Sequence, residues 1–183
     1  MANWCDNNLL LIHDDPEMIT RAVQGFNEGN FLNEFIPVPA MLNKTTSPNK
    51  ENADGMRQQY GYTDWYRFCI NEWGTKWDVE SENIDAIDEN NIQVFFQSAW
   101  SPPVEAYRKL ETIGFKIRAM YHEPGMAYCG IYEDTEDDYY DYSNMSAAET
   151  RDTIPQELDE MFNISEDMEQ REEDDSNESN ETA

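Results

Sequence analysis

The stretch Ile92-Gln93-Val94-Phe95-Phe96-Gln97-Ser98-Ala99-Trp100, broken by Ser101-Pro102-Pro103, decides the fold. β-Branched and aromatic residues fill it and prolines end it, which predicts a strand. The prolines lead into a helix over 104–113, whose Val104, Tyr107, Leu110 and Ile113 share one face, and Gly114 closes it. Residues 115–122, FKIRAMYH, then alternate apolar and polar as a strand with one wet face. Glu123-Pro124-Gly125 makes a turn, and 126–132 returns as the partner strand of a hairpin.

Working back towards the N-terminus, 8–12 (NLLLI) is a short apolar run with the character of a buried strand. Asp15 follows as a helix N-cap, with Pro16 at the first helical position and Glu17 in the first turn. Met18, Ile19, Ala22, Val23 and Phe26 then recur at helical spacing until Gly29. Residues 31–39 are too rich in proline for a central strand, and 41–54 are polar, so an insertion over about 37–62 is expected as a mobile surface connection. Thr63 is placed to cap a helix over 64–73 that stops at Gly74, and 76–80 reads as a strand. This order contains a split β-α-β. The expected fold is therefore α+β: a ferredoxin-like antiparallel sheet over residues 1–133, with helices on one face.

Charge divides the chain. Of the net −27, residues 133–183 hold −18, from 20 Asp or Glu and 2 Arg. Residues 134–183 are thus expected to be an acidic, largely disordered tail, in which Ile154, Leu158, Met161, Phe162 and Ile164 mark a short helix over 154–165. From 166 to 183 no order is expected. Such charge argues against direct nucleic-acid binding, which draws on basic residues, and favours a partner protein with a basic surface. The candidate partner-binding residues are Asp134, Glu136, Asp137, Asp138 and Asp141 on the acidic run, with Leu158, Met161 and Phe162 on the helix. No run approaches 18 apolar residues, and the N-terminus lacks a basic leader, so no membrane partner and a cytoplasmic location are expected.

Four segments carry a resemblance: Met1-Ala2-Asn3-Trp4-Cys5; Asn71-Glu72-Trp73-Gly74-Thr75-Lys76-Trp77; Ser98-Ala99-Trp100-Ser101-Pro102-Pro103; and Glu123-Pro124-Gly125 followed by Cys129-Gly130. In this order and separation they resemble the YubB ferredoxin-like family of phage and plasmid proteins, as does 154–164 behind them. The resemblance implies a ferredoxin-like fold and a phage or mobile-element setting. It implies no activity and no catalytic residues.

The chemistry-bearing residues point the same way. Cys5, Cys69 and Cys129 are an odd number without C-x-x-C spacing, and read as buried thiols. His13 and His122 have no ligand at zinc-site spacing, and the acidic run at 134–141 lacks the glycine of a calcium loop, so no metal or cofactor is expected. Trp73 and Trp77 offer either a platform for bases and cations or packing of helix on sheet; packing is the preferred reading, extended to Trp4 and Trp100. The expected function is a non-enzymatic accessory protein that binds and modulates a host defence or nucleic-acid-handling factor, with mimicry of DNA as one mechanism. Two alternatives stand beside it: a small hydrolase or transferase using His122, Glu123 and the 41–54 loop, and a homo-oligomer built by strand or tail-helix exchange.

Overall fold

The computed structural model describes residues 3–181, the side chains of 175–181 excepted. The N-terminal apolar run is the second half of β1 (Trp4–Ile12), whose Cys5, Leu9 and Leu11 are fully buried. Asp15 caps α1 (Pro16–Asn27) by accepting the Glu17 amide at 2.9 Å, with Pro16 in the first turn, as expected.

The 31–62 segment departs from expectation. It holds three helices, α2 (Phe31–Phe35), α3 (Ala40–Asn43) and α4 (Ala53–Tyr60), and buries Phe31, Leu32, Leu42 and Met56. The reason is tertiary: Phe31 stacks on Phe26 with ring centroids 3.9 Å apart, and the Asp78 carboxylate accepts the Leu32 and Asn33 amides at 2.7 and 2.9 Å. The cap of α5 (Trp65–Glu72) is Asp64, not Thr63, and accepts the Arg67 amide at 3.1 Å. No strand forms over 76–80, where the Asp78 side chain instead holds the start of α2. The strand is β2 (Ser81–Asp88), an exposed edge element whose acidic side chains hide its pairing.

β3 (Asn91–Ala99), α6 (Val104–Thr112), β4 (Lys116–Glu123) and β5 (Tyr128–Glu133) lie within a few residues of their expected places. Beyond them the expectation of a disordered tail from Asp134 is corrected. Asp134 and Thr135, at φ 50° and 69°, turn the chain into β6 (Glu136–Asp141), which pairs along β5 from Glu133↔Glu136 to Tyr128↔Asp141. Then come α7 (Ala147–Thr153), α8 (Gln156–Phe162) and α9 (Ile164–Glu181). Residues 182 and 183, also expected to be without order, lie outside the described residues. The boundary after 133 is crossed by strand pairing.

The six strands form one antiparallel sheet in the order β2-β3-β1-β4-β5-β6. On one face Leu9, Val94, Phe96, Ile117, Ala119 and Tyr132 meet α1, α2, α5 and α6 in the main core. On the other, Met120 of β4 and Cys129 of β5 are covered by Ile154, Leu158 and Ile164. Helices therefore lie on both faces rather than one. The apolar residues at 154–164 cover the second face, which the expected layout, with helices on one face only, left bare.

Candidate protein-binding surfaces

The first surface is the β5–β6 hairpin. Asp134 sits in its turn, and Glu136, Asp137, Asp138 and Asp141 lie on β6. Register puts Asp137 opposite Tyr132 and Asp141 opposite Tyr128, on the main-core face, with Glu136 and Asp138 on the other. Asp137 accepts the Tyr121 hydroxyl at 2.7 Å, but desolvation outweighs that bond and raises its pKa above the usual carboxylate range. Asp141 accepts the Ser143 amide at 2.9 Å, and its bonds to Ser143 lower its pKa. All five predicted carboxylates are brought onto one hairpin.

The three apolar residues predicted with them are not. Leu158 is fully buried against β4 and β5, the Met161 sulfur receives the Asn8 side-chain amide at 3.0 Å, and the Phe162 ring lies 5.5 Å from that of His122. Their partner is the chain's own sheet, so Leu158 is corrected from a docking residue to a core residue.

The second surface is aromatic. Trp73 packs as expected, buried, with its indole N–H donating to the Ile36 carbonyl at 3.0 Å. The same reading fails for Trp4, Trp77 and Trp100, which are 47, 41 and 42% exposed. Trp4 leans on Trp77 with centroids 6.0 Å apart, and the Lys76 ammonium lies 4.4 Å from the Trp77 centroid. Trp100 has φ 74°, a left-handed conformation that is costly for a bulky residue. Its amide donates to the Asn3 carbonyl at 3.0 Å, and its own carbonyl accepts the Tyr128 hydroxyl at 2.7 Å. Tyr139, exposed, packs tilted against Tyr128 with ring centroids 5.2 Å apart, joining this end of the sheet to the acidic hairpin. Sequence reasoning missed these indoles because Trp4 and Trp100 sit at the ends of strands, where alternation no longer indicates cover.

His122 is buried on the second face, with its Nε2 2.6 Å from the Tyr142 hydroxyl, and burial lowers its pKa. A cavity of about 220 Å³ beside it is lined by Pro124, Tyr142, Met168 and Arg171 among others. Glu123 is taken up in the turn, accepting the Gly125 and Met126 amides at 2.9 and 2.7 Å. The 41–54 loop is tied instead to the start of α5, where Thr45 Oγ1 accepts the Trp65 amide at 3.1 Å and Asn49 donates to the Thr63 carbonyl at 2.9 Å. The three parts of the expected enzyme face are not brought together. All three cysteines are free and buried, and desolvation pushes the Cys69 and Cys129 thiols up to about 12.

No family model and no curated protein matches the chain. Among solved structures it is similar to a protein api92 from Yersinia pseudotuberculosis, at 12% identity and a TM-score of 0.39, over 78% of this chain and 98% of that one. Among the described residues no helix is long and apolar enough to cross a membrane.

Proposed function

We propose that this chain is a non-enzymatic accessory protein of phage or plasmid type, with a ferredoxin-like core, that acts in the host cytoplasm. It binds and modulates a host defence or nucleic-acid-handling protein through that protein's basic surface. The observation that carries the reading is that four of the carboxylates of 134–141 lie on a paired strand, with Asp134 in the turn that leads into it. Same-face carboxylates such as Glu136 and Asp138 are thereby kept at a fixed separation, about 7 Å for two strand residues. A fixed array loses little conformational entropy on binding, and with a net charge of −27 it attracts a basic surface from a distance. Rigid carboxylates also suit the mimicry of a phosphate backbone better than a loose tail does. The strand order β2-β3-β1-β4, with α1 and α6 as crossovers, supports the ferredoxin-like core, to which β5 and β6 add an acidic edge. Both outer strands carry several carboxylates, which disfavours pairing between copies and so favours a heterologous partner.

The test is affinity capture from host extract with the wild-type chain and with a triple variant, Asp134→Asn, Glu136→Gln, Asp138→Asn, followed by competition with double-stranded DNA. The expected partner is basic, is displaced by DNA and by salt, and binds the variant about tenfold more weakly. A partner held equally by the variant, and indifferent to DNA, overturns the reading.

A further inference from the structure

Below α5 lies a pocket of about 310 Å³ lined by Trp65, Trp73, Trp77, Lys76 and Asp78, with Val38, Asn43 and Cys69 completing the wall. We propose that this pocket receives an arginine side chain of the basic partner, and that Lys76 occupies its mouth while the protein is free. The inference rests on the basic-partner reading above and assigns that partner a specific anchor.

Three indoles around one cavity form an arrangement suited to a cation, because each ring face carries negative potential. The Trp77 face already attracts one, the Lys76 ammonium at 4.4 Å. Asp78 adds a formal negative charge at a fixed place, since its carboxylate accepts the amides of Leu32, Asn33 and Val79 at 2.7, 2.9 and 2.9 Å. Among the described residues no cation forms an ion pair with it. Burial makes that charge costly, raising the Asp78 pKa, and an incoming cation relieves the cost.

Packing alone does not account for the arrangement. Trp73 is buried and anchored to Ile36, but Trp77 stays 41% exposed at the rim. Guanidinium is favoured over ammonium because it is planar, stacks on indole and is more weakly hydrated, so less solvation is lost on entry. Lys76 has a mobile four-carbon stem and can swing aside.

The experiment titrates the full-length chain, labelled with nitrogen-15 at its five tryptophans, with the capped peptide Ac-Gly-Arg-Gly-NH2 and its lysine counterpart. The arginine peptide is expected to shift the Trp77 and Trp73 indole signals and leave that of Trp100 in place, binding about threefold or more tightly than the lysine peptide. Trp77→Leu should abolish the shift of Trp73. Lys76→Ala should strengthen binding about twofold to fivefold by removing the competing cation, whereas Lys116→Ala, at a distant exposed lysine, should strengthen it less. Equal binding of the two peptides, shifts spread over all five indoles, or weaker binding by Lys76→Ala overturns the proposal. If the captured partner depends on the hairpin carboxylates but not on Trp77, the pocket assignment fails while the acidic-surface reading stands. If the peptide enters the pocket but no partner depends on the hairpin, the reverse holds.

Discussion

Tyr121 lies across Gly130. The two face each other on β4 and β5, and the missing side chain lets the Tyr121 hydroxyl pass over β5 to donate to Asp137 on β6 at 2.7 Å. One phenol thus ties the centre of the sheet to its acidic edge. A Cβ on Gly130 would overlap that hydroxyl and approach the Asp138 carbonyl oxygen to 2.6 Å. Gly130→Ala is therefore expected to destabilise the fold by about 2 kcal/mol, since both neighbours are fixed. Tyr121→Ala removes the side-chain obstruction and leaves that of the Asp138 carbonyl, so the alanine at 130 should cost less, but not nothing, in that background. Urea unfolding of the four proteins in this cycle measures the coupling, and strict additivity would show that the contact is not strained.

The β5–β6 hairpin also marks the limit of what the sequence discloses. Asp15, Pro16 and Gly29 bound α1 by chemistry that acts within a few residues, and the alternation in 115–122 needs only its own pattern. β6 has no such signal: Glu136-Asp137-Asp138-Tyr139-Tyr140-Asp141 pairs through its backbone while most of its side chains face solvent. The same composition suits a solvated run. The helix around Leu158 is legible from its spacing, but what it covers is not, because Met120 and Cys129 become a bare surface only once the sheet is assembled. A further local signal is present in the sequence: Ser146 and Glu149 form a capping box that announces α7. The exposed tryptophans are not legible from residue type, because large aromatics are buried only where another element arrives.

If the acidic C-terminal region is part of the fold, removing it must damage the rest. Leu158→Ala is expected to cost about 3 kcal/mol, the ordinary penalty for emptying a fully buried leucine site. Truncation after Glu133 removes β6 and uncovers Met120 and Cys129, so the fragment 1–133 should unfold at lower urea and bind a hydrophobic dye. A fragment as stable as the whole chain would restore a separable tail.

His122 gives the molecule a pH dependence of defined sign. Its imidazole is buried beside Tyr142 and Phe162, and desolvation lowers its pKa below 6.5; Asp6, Glu123 and Asp167 oppose the shift, and Arg171 adds to it. The unfolded chain takes up this proton near pH 6.5, the folded chain only at lower pH. In that window the unfolded state binds more protons, so the contribution of His122 is full above about pH 7 and falls as pH drops. Carboxylate titrations run alongside and are removed by comparison with His122→Gln. The stability of the wild type minus that of the variant should decrease between pH 7.5 and 5.5, and a constant difference would place the imidazole in water.

Trp100 separates a cost to folding from a use in binding. At φ 74° its backbone occupies the region where a Cβ is penalised, and two hydrogen bonds, to Asn3 and from Tyr128, hold it there. Substitution by glycine and by alanine removes the same indole contacts, but glycine accepts the conformation without strain. Trp100→Gly should thus be more stable than Trp100→Ala by about 1 kcal/mol, opposite to the order at an ordinary strand end, where alanine is favoured. Thermal and urea unfolding of the two variants give the difference directly. If the strain serves to display the indole beside the acidic hairpin, both variants should also weaken the captured partner to a similar degree, whatever their stabilities. Binding that instead follows stability, strong in the glycine variant and weak in the alanine variant, would assign Trp100 to folding alone.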